Sequence, residues 1–214
     1  MSRLSISGTI ANDLRWEILS ANIQPGQAIK QNHIARQYGV SQAPVREALR
    51  QLASEDLVAY ELNCGVKVPT LDRREAEEIG SLRAKLEPDF ISPACKNFTA
   101  SDVEIAEKAL MKIADAPDVP TLLQANEAFH EAIFAPADLP VTIQIVRQLR
   151  RRYARYLGNM WQSGGNAQTS WQEHRELLDL IARGKARLAR ELMKTHIAST
   201  TKAVTKSLAR SHAA

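Results

Sequence analysis

Residues 32–52 read NHIARQYGVSQAPVREALRQL, and this stretch decides the fold of the first third of the chain. Apolar residues recur at spacings of three and four on both sides of Gly39-Val40-Ser41, which is typical of two short helices joined by a turn. Gly39 suits the left-handed end of the first helix, Ser41 the N-cap of the second, and Pro44 its first turn. We therefore predict a helix-turn-helix, whose second helix is the element that enters the major groove of DNA.

The flanking segments complete the same motif. An amphipathic helix is predicted before it, followed by a turn at Pro25-Gly26, a short extended piece and a helix capped by Asn32. Two β-like runs come after it, joined by a hairpin turn at Asn63-Cys64-Gly65. This order predicts a winged helix-turn-helix domain over residues 1–71. The first helix is expected at 6–22, the extended piece at 27–30 and the two β-like runs at 57–62 and 65–70.

Polar side chains at the start of the second helix have the chemistry for reading DNA. Gln42 can pair with adenine and Arg46 with guanine, and their spacing of four residues puts both on one face. Ser41 and the free N–H groups at the helix start suit a phosphate. Arg36 and Arg50 are placed to hold backbone phosphates. The alternative is an ordinary solvated amphipathic helix.

The composition changes after Leu71, because no strand signal is found from Asp72 to the end. Helical periodicity interrupted by turn residues predicts an antiparallel all-α bundle over residues 72–214, so the fold class is mainly α. Pro88 and Pro93 are expected to kink the first helix of this bundle or end it early. The six predicted helices run over 72–97, 101–114, 119–135, 140–162, 169–183 and 185–211.

Charge is uneven along the 214 residues, whose formal net charge is +4. Residues 1–71 carry net +1, residues 72–140 net −7 and residues 141–214 net +10. Helices with opposite charges on facing or solvated surfaces explain this pattern, although the basic last third alone also fits nucleic-acid binding.

The sequence also excludes several classes of protein. No stretch approaches 18 consecutive apolar residues, so we predict no membrane span. The start of the chain lacks the apolar segment and cleavage site of a secretion signal. Cys64 and Cys95 are too few for a disulfide framework. These features predict a cytoplasmic protein.

Helix geometry brings three of the five histidines together. His174 lies ten residues before the predicted hairpin at Gly184 and His196 twelve after it, so antiparallel helices place them at nearly the same height. Asn126 and His130 are four residues apart and share a face of another helix. Three imidazoles around one point suit Zn²⁺, Ni²⁺ or another borderline metal. The alternative is that each histidine is an ordinary core or surface residue.

The first domain resembles the N-terminal domain of GntR-family bacterial transcription regulators. In that family Gly65 and a neighbouring basic residue belong to the wing, so the resemblance adds Gly65 and Lys67 to the expected DNA contacts. Three positions depart from the pattern: Gln42 replaces a usual Arg, Asp56 a usual Gly, and Asn63-Cys64 a usual wing Arg. The matching residues are Pro25-Gly26, Ile29, Ile34-Ala35, Gly39-Val40-Ser41, Pro44 through Leu49, Leu52, Leu57-Val58, Gly65 and Val68.

Residues 75–200 resemble the FCD domain, the effector-binding bundle of the FadR subfamily of these regulators. The resemblance implies one divalent metal, Zn or Ni, held by Asn126, His130, His174 and His196, with Asn126 in place of the family's usual Asp. Six helices resemble the VanR-type group. The resemblance is carried by Leu82-Arg83, Leu86-Glu87, Asn126, Phe129-His130, Glu173-His174-Arg175, Ile181, Gly184, Met193 and His196-Ile197.

Effectors of this family are commonly small carboxylates that touch the metal, and the resemblance implies that Arg83 contacts the effector. Independently, the turn between Pro136 and Pro140 sets the fourth helix antiparallel to the third. This arrangement places Arg147 and Arg151 near the height of His130, so both are predicted effector contacts. The alternative for this arginine-rich run is a solvated or dimer-facing stripe.

These observations predict a homodimeric, ligand-responsive transcription regulator and not an enzyme. Residues 1–71 are expected to read a pseudo-palindromic DNA operator, and residues 72–214 to dimerise, bind a metal and sense a small organic acid. Two alternatives belong to other classes. One is a helical metal-dependent enzyme, in which three histidines and an open position activate water. The other is an architectural DNA-binding protein with an empty bundle.

Overall fold

The computed structural model describes residues 5–61, 65–165 and 167–211. The chain forms two compact units that divide between Leu71 and Asp72. The predicted fold class is confirmed, because the first unit contains a helix-turn-helix with a small sheet and the second is a helical bundle. The first unit contains α1 (Ile6–Leu19), β1 (Ala28–Ile29), α2 (Gln31–Tyr38), α3 (Gln42–Ser54), β2 (Ala59–Glu61) and β3 (Gly65–Lys67).

The sheet of the first unit has three antiparallel strands in the order β1-β3-β2. Val66 of β3 pairs with Ile29 on one side and with Tyr60 on the other, so the expected extended piece becomes a third strand. The predicted turn residues Asn63 and Cys64 lie outside the described residues. Helix α1 packs on α3, and the core between the helices and the sheet is formed by Ile10, Leu14, Ile18, Val45, Leu49, Leu52, Leu57, Val58, Val66 and Val68.

The turn between α2 and α3 depends on Gly39, which ends α2 with a φ of +64°. Glycine reaches this left-handed conformation without steric cost, as the sequence predicts. The start of α2 differs from expectation, because its N-cap is Lys30 and Asn32 lies inside the helix. Asp56, which stands where the family usually has Gly, adopts a φ of +58°. This conformation explains why glycine is preferred there.

The described part of the second unit contains seven helices, where the sequence predicted six. The first predicted helix divides at Glu87, because Pro88 lacks an N–H group and opens a new helix. Pro93 lies inside that new helix and does not break it. The helices are α4 (Arg73–Leu86), α5 (Pro88–Asn97), α6 (Ala100–Ala114), α7 (Val119–Phe134), α8 (Pro140–Gln162), α9 (Gln168–Ala182) and α10 (Ala186–Ser211).

Helix α10 is the centre of the bundle and packs against α4, α5, α8 and α9. The contact with α4 is close: a Cβ atom added to Gly80 would lie 2.4 Å from the Thr201 hydroxyl oxygen. The apolar core beside it is formed by Phe90, Phe129, Ile133, Tyr153, Leu177, Met193 and Ile197. Within the described ranges, no helix is both long enough and apolar enough to cross a bilayer.

Hydrogen bonds connect the first turn of α4 to Tyr156 of α8. The Asp72 side chain caps α4 by accepting hydrogen bonds from the N–H groups of Arg74 and Glu75. The Asp72 N–H group donates to the Tyr156 hydroxyl at 3.4 Å, and that hydroxyl donates to a Glu75 carboxylate oxygen at 2.5 Å. Burial raises the pKa of Glu75, but hydrogen bonds from Tyr156 and Arg152 outweigh it and leave the pKa below its ordinary value.

Candidate metal and effector site

Three histidines from three helices meet in the core of the second unit. His130 on α7, His174 on α9 and His196 on α10 are all buried. Nε2 of His174 lies 3.1 Å from Nε2 of His130 and 3.2 Å from Nε2 of His196. Two nitrogen ligands of one tetrahedral Zn²⁺ lie about 3.3 Å apart, given Zn–N bonds of about 2.0–2.1 Å. The spacing of the three rings therefore fits a shared metal ion.

Hydrogen bonding alone does not satisfy this cluster. A neutral imidazole nitrogen carries either one N–H or one lone pair, so Nε2 of His174 can form only one of its two close contacts as a hydrogen bond. In the part of the chain that the structure describes, the Nδ1 atoms of His130 and His174 are buried without a hydrogen-bond partner. A cation that accepts all three lone pairs removes the conflict at Nε2. The triad can therefore bind a metal ion.

The local electrostatics keep two of these rings in the neutral, ligating form. Burial lowers the pKa of His130 well below its ordinary value, and the charge of Arg150 adds to the effect. Burial also lowers the pKa of His174, with a contribution from His196. A metal ligand must be deprotonated, so both rings are ready to bind near neutral pH without a proton having to leave.

The third ring is held by a carboxylate. Nδ1 of His196 lies 2.6 Å from a carboxylate oxygen of Glu173, and the Ser199 hydroxyl donates to the other oxygen at 3.3 Å. Glu173 precedes His174 on α9, so this helix supplies one metal-ligand candidate and orients another. A carboxylate at Nδ1 fixes the proton there and leaves Nε2 as the lone pair. In the sequence Glu173 stood out only through the resemblance to the FCD domain, and the structure adds its contact with His196.

A cavity of about 550 Å³ opens beside the histidines. Asn126, His130 and His196 line it together with Arg83, so these sequence-predicted residues meet at one wall. Asn126 is buried on α7, one turn before His130. Its amide oxygen is a neutral donor, so a divalent ion held by Asn126 and three neutral rings would keep its full charge. That charge suits an anionic ligand.

Arg83 belongs to a buried ion-pair network under this wall. Its Nε donates to Glu87 at 2.6 Å, and its guanidinium lies 4.8 Å from the centre of the Tyr153 ring. Arg150 lies 3.5 Å from the same Glu87 and 3.0 Å from Glu127. Burial raises the pKa of the fully buried Glu87, but the charges of Arg83 and Arg150 outweigh it and leave the pKa low. The network therefore contains two guanidiniums and two carboxylates, and Arg83 is its member that lines the cavity.

Two predicted effector contacts need correction, because Arg147 and Arg151 do not line the cavity. Arg147 forms a partly exposed ion pair with Glu131, and Arg151 is exposed. The buried stripe of α8 includes Val146, Arg150, Tyr153 and Leu157. Within the 147–151 run the inward arginine is therefore Arg150, and Arg147 and Arg151 point about 60° and 100° away from it around the helix. The apolar spacing around Arg150 was a usable signal in the sequence. Glu87 had a partial signal, because its spacing of four residues from Arg83 is local, whereas its contact with Arg150 crosses between helices.

The predicted DNA-reading residues lie on the surface of the first unit. Arg36, Ser41, Gln42, Arg46 and Arg50 are all exposed. Ser41 is the N-cap of α3, yet its side chain makes no capping hydrogen bond. This hydroxyl is therefore not engaged by its own helix.

Gln42 is held in one orientation by two neighbours. Its amide nitrogen donates to the Asn32 side chain at 2.5 Å, and its amide oxygen accepts from Arg46 at 3.3 Å. Gln42 and Arg46 share one face, as their spacing predicts. Asn32 was predicted only as a cap, and its contact with Gln42 could not be read from local sequence.

The wing carries less free charge than expected. Gly65 begins β3 with a φ of +81°, a conformation that favours glycine. Lys67 on β3 forms an ion pair with Glu61 on β2. That pairing offsets the positive charge that Lys67 would otherwise present.

Both units match known families. The pattern of the gntR family of bacterial regulatory proteins matches residues 6–68, and that of the FCD domain matches residues 78–199. Two relatives come from Escherichia coli strain K12. The HTH-type transcriptional regulator McbR is 28% identical over 152 residues, which cover 70% of this chain and 69% of McbR. The HTH-type transcriptional repressor GlaR is 28% identical over 204 residues, covering 88% and 92%.

A third relative is the gluconate operon transcriptional repressor of Bacillus subtilis, which is 33% identical over 145 residues, covering 64% of this chain and 58% of the repressor. The solved structure of E. coli McbR/YncC has a TM-score of 0.79 at 22% identity and covers 95% of this chain and 99% of its own. That likeness shows the fold. The relatives are transcription regulators and not enzymes. The chain therefore belongs to the GntR family, in the FadR subfamily with a C-terminal FCD domain, and is a DNA-binding transcription regulator.

Proposed function

We propose that this regulator acts in the cytoplasm as a homodimer whose affinity for a pseudo-palindromic operator changes when a small organic acid binds beside a metal ion. Residues 1–71 read the DNA, and residues 72–214 dimerise and sense. The observation that carries the proposal is the meeting of three buried Nε2 atoms beside the cavity that Arg83 lines.

His130, His174 and His196 would hold the ion, with Asn126 as a fourth, oxygen donor. Zn²⁺ or Ni²⁺ fits three imidazoles, because both accept nitrogen ligands readily. A bound ion supplies a coordination site for an anion. The chain's own contribution is to orient His196 through Glu173, to keep His130 and His174 neutral, and to place Arg83 on the same wall.

A carboxylate is the effector chemistry that this wall favours. Arg83 offers a planar set of donors to an anion, and the neutral ligands leave the charge of the ion uncompensated. The name of the Bacillus subtilis relative refers to gluconate, which is a hydroxylated carboxylate. Its chemistry agrees with a cavity that would recognise an acid through the metal ion and Arg83.

DNA reading is assigned to the exposed face of the first unit. Gln42 and Arg46 would contact base edges, whereas Arg36, Ser41 and Arg50 would contact phosphates, with Gly65 and Lys67 at the wing. Two copies related by a two-fold axis would read the two halves of the operator. The effector would shift the relative populations of DNA-binding and non-binding states of the dimer.

The metal content of untagged protein, purified without chelator, tests this proposal. We expect about one equivalent of Zn or Ni per chain by elemental analysis, because three ligands converge on one point. His130→Ala should lose the metal. The matched control is His33→Ala, which removes an exposed histidine of α2 and should retain it. A wild-type chain that binds no added Zn²⁺ or Ni²⁺ would contradict the metal-linked mechanism and favour the architectural alternative.

A further inference from the structure

The cavity continues from the histidines as a groove along α10. Its lining residues on that helix include His196, Ser199, Ala203, Lys206 and Arg210. They recur every three or four residues, so they form one stripe on one face of the helix. From His196 the stripe extends about 15 Å to Lys206 and about 21 Å to Arg210, at 1.5 Å per residue.

The walls of the groove that α8 and α9 form run in the same direction as α10. Leu157, Met160 and Trp161 at the end of α8 give the groove an apolar side. Helix α9 faces α10 with Glu173 against His196 and Ser199, and earlier residues of α9 therefore face later residues of α10. Thr169 and Ser170 line the groove from the first turn of α9, on the way to its far end.

Positive charge lies at both ends of this groove. The inner end has Arg83, beside the neutral histidines that would hold the metal ion, and the far end has Lys206 and Arg210. Among the described residues, neither Lys206 nor Arg210 has an ion-pair partner in the structure. Glu173, the groove's acidic residue, is engaged by His196 near the inner end.

The size of the groove exceeds what a short monoacid needs. A volume of about 550 Å³ lies within the range of pockets that enclose whole drug-sized ligands, about 300–1,000 Å³. An acid of two to four carbons at the histidines would leave the far end, with its two cations, in contact with water alone. A ligand that fills the groove must be elongated, and its far end must be anionic to neutralise Lys206 and Arg210.

We propose that the effector is an elongated diacid, with one carboxylate at the metal and Arg83 and a second acidic group at Lys206 and Arg210. This inference rests on the proposed function, because the inner carboxylate is the one assigned there. The chain between the two acids lies against Leu157, Met160 and Trp161 on one side and against hydroxyl groups of α9 and α10 on the other. Length and the second charge together then select the ligand.

Isothermal titration calorimetry on the Zn²⁺-loaded full chain tests this proposal. The probes are the straight-chain diacids succinate, adipate, suberate and sebacate, each compared with the monoacid of the same carbon number. We expect the monoacids to bind weakly at every length. A diacid long enough to reach both ends should bind at least about tenfold more tightly than its monoacid, which corresponds to about 1.4 kcal/mol.

Two double variants locate the second acid. Lys206→Gln with Arg210→Gln should reduce the diacid advantage to less than about twofold while monoacid affinity stays unchanged, because the inner end is intact. The control is Lys194→Gln with Lys202→Gln, which removes two exposed cations of α10 outside the groove and should keep the advantage.

The outcomes separate this inference from the proposed function. Equal affinity of monoacids and diacids at all lengths would overturn the diacid proposal and leave the carboxylate site standing. An advantage that persists in the Lys206 and Arg210 variant would overturn the assignment of the far end. Failure of every acid to bind the Zn²⁺-loaded chain would contradict the proposed carboxylate effector itself, and the diacid with it.

Discussion

Glu87 is fully buried, and its position between Arg83 and Arg150 makes it the residue on which the charge balance of the sensing core depends. A buried carboxylate is costly unless charged partners surround it. The two guanidiniums also need Glu87, because it is their shared buried partner and the second partner of Arg150, Glu127, is 41% exposed.

Replacement of Glu87 by Gln should destabilise the second unit by about 3–5 kcal/mol, since it leaves two buried charges without their shared partner. Urea unfolding followed by circular dichroism measures this loss. Glu127→Gln is the control: Glu127 pairs with the same Arg150, but its side chain is 41% exposed, so its loss should cost about 1 kcal/mol or less. Equal stability of Glu87→Gln and wild type would mean that water already shields the two guanidiniums.

The stability of metal-free protein should fall as the pH drops below the ordinary histidine pKa of 6.5. The folded chain keeps His130 and His174 neutral because burial lowers their pKa values, whereas the unfolded chain protonates them. Above pH 6.5 these two groups therefore do not lower the free energy of unfolding. Below pH 6.5 the free energy of unfolding falls by up to about 1.4 kcal/mol per pH unit for each ring. Urea midpoints between about pH 7.5 and 5.5 measure the slope. His130→Gln should reduce it by about half, and a flat profile in the wild type would refute the explanation.

The histidine cluster was predictable from sequence, because its members sit at matched distances from one tight hairpin and on one helix face. The same reasoning could have identified Arg150, but its neighbours Arg147 and Arg151 were predicted in its place. The contacts of Glu87 with Arg150 and of Glu173 with His196 were not predictable, since a contact between side chains of different helices leaves no local periodicity. The missing information is the register between helices, which tertiary packing alone determines.

At the scale of elements, helix type and order could be predicted, but the boundary between α4 and α5 could not. Proline signals a break without specifying whether the helix bends or restarts, and here Pro88 restarts it while Pro93 is tolerated. The extended piece at 27–30 was predicted, but its pairing as the third strand of the sheet was not, because two residues at Ala28–Ile29 carry no alternation of their own. Short strands are defined by the partner that they pair with.

The close packing of α4 on α10 predicts the effect of one added methyl group. Gly80→Ala should destabilise the second unit by about 1–3 kcal/mol, because the new Cβ would overlap the Thr201 hydroxyl. The measurement is urea unfolding in two backgrounds. With Thr201→Ala present, Gly80→Ala should cost much less, since the overlapping atoms are gone. Equal costs in both backgrounds would show that the helices separate freely.

The recognition helix predicts two different losses of DNA affinity. Arg46→Ala should weaken binding to DNA selected from a random pool by about 1–3 kcal/mol and affect unselected DNA much less, because Arg46 is assigned to a base. Arg50→Ala should weaken both classes of DNA to a similar extent, because it is assigned to a phosphate. Fluorescence anisotropy at fixed salt distinguishes the two. Parallel losses for Arg46→Ala on both classes would contradict base reading.

For the whole molecule, the proposed sensing requires that the proposed metal site and the DNA-reading surface exchange free energy. The Asp72 N–H group, at the first residue after the DNA-reading unit, is bonded to Tyr156, and α8 packs against α10, which carries His196. This series of contacts links the metal site to the end of the connection between the two units.

Zn²⁺ should therefore change the affinity for selected DNA by about 5–150-fold, and that DNA should change the affinity for Zn²⁺ by the same factor. Anisotropy and metal titration measure the two halves of the cycle. Tyr156→Phe removes the hydroxyl that Asp72 and Glu75 share, so it should reduce the factor while Zn²⁺ affinity without DNA stays the same. An unchanged factor would mean that coupling travels through another contact.

The tryptophan on the groove wall has a practical consequence. The chain contains three tryptophans, and Trp161 is the one that lines the groove. Trp16 lies in the first unit, and the indole of Trp171 donates to the Leu110 carbonyl oxygen on α6, away from the groove. A chain with Phe at positions 16 and 171 would keep a single native fluorophore against the bound acid. The fluorescence of Trp161 would then report binding of the acid without any added dye. The protein would thus serve as a fluorescent sensor of its own effector.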